Sequence, residues 1–442
     1  MSSSASGYPS APTAWTVTVL LTVLYVFSFI DRQVLNLLVG PIQSDLDLTD
    51  VQVSLLQGFA FVSTYVVLSV PIGRLVDTRS RVFIISAGVA FWSLATAACG
   101  LAKNFGTLFV ARAGVGIGEA TLTPASWSLM ADYFPPERRT LPFSVFLVGP
   151  YIGAGIAMIF GGLAMAFFAD LGAVTVPVLG TLAPWQLTFI VVGAPGLLLA
   201  LLTLLVPEPV RKGVTEDQTE AAPYSEILQW MNQYRAIYVA LLLGVPCITL
   251  ILYGLQAWIP TYLLRVQGMS LLEAGTQYGG IALVCSSIGV LSGPWFGQLL
   301  LSRGYKDYQL RVAMFSLAAL IPVLMLLPLA ASPTQALACI AVASFLVPFP
   351  LALIATAIQS VTPNRMRGVL VGAYVVAVNV IGLAMGPSLI AFTTDYVFGD
   401  PQAVGKSLAL VSAVVGIIGV VLIYRSLAPL SKFLEDSPLE NQ

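Results

Sequence analysis

Two ionisable residues stand inside an apolar stretch long enough to cross a bilayer: Arg112 and Glu119, in LFVARAGVGIGEATLTPASWSLMADYFPPERR. Seven residues of helix turn through about 700°, so the two charges lie within roughly 20° of one face. Each would cost about 2.5–3.5 kcal/mol at the centre of a lipid-facing helix. They are therefore expected to face a partner or water inside the protein. Gly114, Gly116 and Gly118 remove side chains between them, so that another helix or a ligand can come close. A second pair, Asp31 and Arg32, lies deep in the first apolar segment, in FSFIDRQVLN. Arg32 points about 100° away from Asp31, which leaves it to packing or to a different partner. Two readings fit these charges: an ion pair that holds a helix bundle together, or a pathway for a solute or proton. The pathway is the preferred reading.

The composition says what else the chain can do. Of 442 residues, 57% are hydrophobic and 9% charged, the balance of an integral membrane protein. With a formal net charge of -1 there is no basic excess to neutralise phosphates, so nucleic acid is not an expected partner. Histidine is absent, which removes most transition-metal sites and most triad catalysis; no metal and no cofactor is expected. A membrane enzyme is further disfavoured by the lack of G-x-S-x-G or metal-ligand spacing. Proton chemistry then falls to carboxylates. The four cysteines lie far apart in apolar segments and are expected to be free thiols.

Apolar segments recur at about 15–40, 51–75, 82–102, 107–131, 141–168 and 185–206, and again at about 235–264, 274–301, 311–331, 335–361, 368–398 and 404–427. Twelve transmembrane helices in an all-α membrane protein follow. Most of the 20 basic residues fall in loops on one side, and only Lys103, Arg265 and Lys406 on the other. That bias makes the basic side cytoplasmic, with both termini there, in the plasma (inner) membrane. The expected organisation is a tail at 1–14, a six-helix bundle at 15–207, a cytoplasmic linker at 208–234, a second bundle at 235–428 and a tail at 429–442. Within the linker, YSEILQWMNQYRAIY has helical apolar spacing. GRLVDTRSR (73–81) is echoed by GQLLLSRGY (297–305), and PERR (136–139) by PNRMR (363–367), both about 225 residues on. Duplication into two pseudo-symmetric halves, a common transporter plan, explains the agreement.

GRLVDTRSR resembles the loop signature of the major facilitator superfamily, with Gly73, Leu75, Asp77 and Arg81 on its pattern and Ser80 and Thr78 off it. More narrowly, FSFIDRQVLN and RAGVGIGEATLTPASWSLMADYFPPERR resemble the Spinster-like branch, associated with sphingolipid phosphates and lysophospholipids. The resemblance implies the major facilitator fold, a monomer, and gating roles for Gly73, Asp77 and Arg81, with Arg138 and Arg139 of PERR joining them. It also implies that the first and fourth spans line one cavity. Asp31, Arg112 and Glu119 would then form one polar cluster.

On that reading an anionic solute competes for Arg112, and the carboxylate that loses this partner takes a proton. Glu119 ranks before Asp31 as the titrating group. The second half carries no charge deep in its spans. It offers Tyr253, Gln256, Trp258, Tyr374 and Asn379 for substrate binding, although packing is the ordinary role of any one of them. A charged wall and an aromatic wall suit an amphipathic anion, lysolipid-like or sphingolipid-phosphate-like, moved by proton-coupled alternating access amid membrane lipids. Symport of small organic anions or sugar acids is the alternative; a transport-inactive ligand sensor is the alternative of another class.

Overall fold

The computed structural model describes residues 8–135, 138–177, 180–211 and 223–436, which fold almost entirely as helix. The chain separates into two compact units, Met1–Thr215 with Ser270–Gly280, and Glu216–Met269 with Ile281–Gln442.

The first unit begins with α1 (Ala11–Leu37), started by Ser10, whose hydroxyl accepts from the Thr13 amide. A short α2 (Val39–Leu46) leads to α3 (Asp50–Ser54), which opens on a reciprocal Thr49–Gln52 cap. One wide turn of π-helix (Leu55–Phe59) joins it to α4 (Ala60–Thr78). Next come α5 (Arg81–Cys99), α6 (Phe105–Glu119), α7 (Leu122–Tyr133), α8 (Thr140–Leu171) and α9 (Pro184–Thr203). A hairpin of β1 (Val174–Val176) and β2 (Gly180–Leu182), unforeseen in the sequence, links α8 to α9.

The fourth span is not continuous. Eleven helical stretches among the described residues are long and apolar enough to cross a membrane, and the twelfth expected span is broken into α6 and α7 at Ala120–Thr121. Pro124 supplies the reason. It has no amide to give the Ala120 carbonyl, and its ring crowds that group. Thr121 turns its hydroxyl back onto the Gly118 carbonyl at 2.8 Å. The glycines before the break serve helix packing. A Cβ on Gly116 would lie 2.4 Å from the Phe61 carbonyl of α4, and one on Gly118 would lie 2.7 Å from the Gly88 carbonyl of α5. Only hydrogen fits at either place, so α6 is held against both neighbours.

The second unit contains α10 (Tyr224–Gln233), α11 (Arg235–Val239), α12 (Val245–Arg265) and α14 (Ser287–Ser302), whereas α13 (Leu271–Ile281), between the last two in the chain, belongs to the first unit up to Gly280. It closes with α15 (Tyr308–Leu326), α16 (Pro333–Leu346), α17 (Leu351–Ser360), α18 (Asn364–Ala377), α19 (Met385–Phe392) and α20 (Val404–Asp436). The amphipathic helix expected before this bundle is α10, which buries Ile227. Residues 212–222 of the expected linker lie outside the described residues, as do 1–7 and 437–442 of the two expected tails.

Candidate functional site

Four helices of the first unit bring the buried charges together. α1 presents Ser28, Asp31 and Arg32, α4 presents Phe61, α5 presents Trp92 and Thr96, and α6 presents Arg112 and Glu119. The pairing differs from the one expected. Arg32, left by the sequence to packing or to a different partner, is the partner of Glu119: Nη2 lies 2.5 Å from Oε2, with the two side chains 10% and 1% exposed. Ser28 donates its hydroxyl to the same carboxylate oxygen at 2.7 Å. The guanidinium also sits 4.6 Å from the Phe29 ring centre and 4.2 Å from that of Phe61, so aromatic faces help to hold its charge. The 100° between Asp31 and Arg32 separates those two residues, but it says nothing about which helix each one meets.

Arg112 is held by main chain. Its Nε donates to the Leu56 carbonyl at 3.3 Å and its Nη1 to the Asp31 carbonyl at 3.2 Å. The wide turn at Leu55–Phe59 makes the first bond available. The Ala60 amide bonds to Leu55, five residues back, and leaves the Leu56 carbonyl to the arginine. Arg112 is fully buried, and its Nη2 has no hydrogen-bond partner. Asp31 is 2% exposed with Oδ1 likewise unpartnered, and Trp92 and Thr96 of α5 lie beside its carboxylate. Arg112, the cation expected to be shared between a carboxylate and an anionic solute, donates to main-chain carbonyls instead. The cation paired with Glu119 is Arg32.

A second network lies at the end of the unit that carries Arg74, Arg79 and Arg81. Arg81 is buried. Its Nε donates to Glu208 at 2.7 Å, its Nη1 to Asp132 and to the Ser128 carbonyl, and its Nη2 to the Pro209 carbonyl at 3.0 Å. One side chain thus ties together α5, α7 and the segment after α9. Burial alone would raise Glu208, but the Val82 amide at 2.9 Å, Arg81 and the Ser80 hydroxyl outweigh it and hold the carboxyl below its usual range. Arg139 donates to the Phe134 and Ala131 carbonyls and so closes the end of α7. Asp77 and Arg138 are exposed, and Gly73 has open space where a Cβ would stand. Sequence reasoning missed Asp132 and Glu208. The signal lay in plain view for Asp132, an acid closing an apolar helix just before PPERR.

In the second unit Trp258 is fully buried and donates its indole N–H to the Pro387 carbonyl at 2.9 Å, which makes it a packing residue in this conformation. Tyr253, Gln256, Tyr374 and Asn379 are half-buried. Tyr253 and Tyr374 are near neighbours, and Asn379 donates back to the Val375 carbonyl of its own helix at 2.9 Å.

A bundle of membrane-crossing helices around buried, unequally paired charges is the construction of a multi-pass membrane transporter. Residues 21–387 match the sequence profile of the Major Facilitator Superfamily, and the chain belongs to that family. It is a secondary transporter, not an enzyme. An MFS-type efflux pump of Mycolicibacterium smegmatis is 26% identical over 415 residues, 92% of this chain and 91% of that protein. Protein spinster homolog 1 of Xenopus laevis is 24% identical over 295 residues, 63% of this chain and only 53% of that relative's length. A solved bacterial homolog of the human lysosomal transporter Spinster, inward-facing and unoccupied, aligns with a TM-score of 0.77 at 26% identity, covering 97% of this chain and all of the other. Within the superfamily the chain is most like this Spinster-like branch.

Proposed function

We propose that the chain moves an amphipathic anion of the lysolipid or sphingolipid-phosphate type across the plasma (inner) membrane by proton-coupled alternating access. The carrying observation is the Arg32–Glu119–Ser28 cluster: one cation, one carboxylate paired with it, and an arginine side chain that remains 10% exposed. An anionic head group that binds Arg32 displaces Glu119. A buried carboxylate deprived of its cation takes up a proton rather than carry an uncompensated charge in a low-dielectric site. Departure of the solute restores the pair and releases the proton. Asp31, buried with an unpartnered oxygen, is the second proton carrier, and Arg112 holds the backbone against which the cluster works.

Tyr253 and Tyr374 are proposed contacts for the apolar part of the solute. Arg81 with Asp132 and Glu208 is the proposed gate, together with Asp77 and Arg139, at an end taken to be cytoplasmic along with both termini. Export is favoured over uptake by the efflux-pump relative, which this chain matches along nearly its whole length. The test is uptake of labelled lysophospholipid into proteoliposomes, with lumenal pH followed by a trapped dye. Glu119→Gln should retain solute binding while losing solute-driven proton movement. Unchanged proton movement in that variant would reject Glu119 as the carrier, and hexuronate transported in place of lysolipid would reject the solute class.

A further inference from the structure

The outer face of the first unit carries a groove of about 710 Å³, bounded by α4, α5 and α6 and separate from the Arg32–Glu119 cluster. Its lining includes the small residues Ala87, Gly88 and Gly118, a low floor between Leu75, Phe83 and Phe91, which are 46%, 65% and 47% exposed. The recess runs along α5 from Ser80 to Phe91, roughly 16 Å at the helical rise. That is about half of the ~30 Å hydrocarbon layer, the depth of a single leaflet.

Polar groups are confined mainly to one end. The Ser80 hydroxyl is already committed to Glu208 at 2.8 Å. Arg79 is exposed, and among the described residues its guanidinium has no ion-pair partner. Arg211 donates to the Arg79 carbonyl at 2.6 Å, which brings a second cation to the same end.

We propose that this groove binds an anionic bilayer phospholipid, one acyl chain lying along the Ala87 floor and the head group on Arg79. The length fits one leaflet's chain, and the charge fits an anionic head group. Zwitterionic lipid, which fits the apolar floor equally well, lacks the net charge that Arg79 would select.

The assay uses full-length protein carrying a Phe91→Trp reporter at the far end of the groove, reconstituted in phosphatidylcholine and titrated with phosphatidylglycerol whose acyl chains are brominated to quench tryptophan. Quenching, taken as the difference from protein without the reporter, should saturate at a lower mole fraction than with brominated phosphatidylcholine. A juxtamembrane arginine contributes about 1 kcal/mol to anionic-lipid attraction, so Arg79→Gln should weaken the titration about fivefold. Ala87→Phe, which fills the floor, should abolish the saturable component. Arg79 is exposed and its substitution spares the packed interior, so that variant tests the head-group contact even if Ala87→Phe disturbs folding. Equal quenching by both lipids, or an unchanged titration in Arg79→Gln, would overturn the proposal. It concerns a lipid site on the outer face, so a failed lysolipid transport assay leaves it standing.

Discussion

Replacing Arg32 by Met keeps the side chain's length and apolar stem but strips Glu119 of its cation, leaving a carboxylate 1% exposed with the Ser28 hydroxyl as a donor. Breaking a buried pair from one side costs about 3–5 kcal/mol. The protein can limit that cost by neutralising the acid. Holding a carboxyl with a reference pKa of about 4.3 in its protonated form at pH 7 costs about 3.7 kcal/mol, and about 1 kcal/mol at pH 5. The stability deficit of Arg32→Met should therefore be near the upper figure at neutral pH and shrink steadily on acidification. Thermal unfolding of the detergent-purified protein between pH 5 and pH 8 measures it. Arg32→Met with Glu119→Gln removes both charges, so its deficit should be smaller at pH 7 and flat with pH. A deficit in Arg32→Met that does not vary with pH, or a double variant no more stable than the single one, would refute the dependence of Glu119 on Arg32.

Three further outcomes follow from the geometry. Arg81→Lys leaves one ammonium where a planar fork serves Glu208, Asp132 and the Pro209 carbonyl, and should lower stability by about 2–3 kcal/mol in the same unfolding assay. Glu208 is held below its ordinary range, so its contribution is complete above about pH 4.3, the unfolded value, and is lost as pH falls through its folded value; amide exchange at Val82 should accelerate only in that acid range, and in Glu208→Gln the acceleration should vanish. Trp258→Phe removes the indole bond to the Pro387 carbonyl and should cost about 1–3 kcal/mol of stability with KM for the solute unchanged; a raised KM without loss of stability would return Trp258 to the binding residues.

Much of the architecture was legible in the chain because its signals are local. Runs of about twenty apolar residues must cross a bilayer and must satisfy their own amides as helix, and the motif GRLVDTRSR carries its family with it. Charges inside such runs must face protein, which singled out Asp31, Arg32, Arg112 and Glu119. Their partners could not be read, because an arginine reaches several ångströms in any direction and helical phase fixes only the direction of its first bond. Arg32 met Glu119, 87 residues away, because close packing across Gly116 and Gly118 sets α6 at the depth and rotation that brings Glu119 to α1.

Composition and periodicity alone determined that this is a membrane-spanning helical chain with ionic groups turned inward, and the resemblance carried by GRLVDTRSR added the transporter family. Only the tertiary structure decided which cation serves which acid. It also committed Arg112 to the Leu56 carbonyl that a widened turn had released. Those outcomes depend on contacts between residues far apart in the chain, and hydrophobic patterning, which records only how each residue meets its local surroundings, does not encode them.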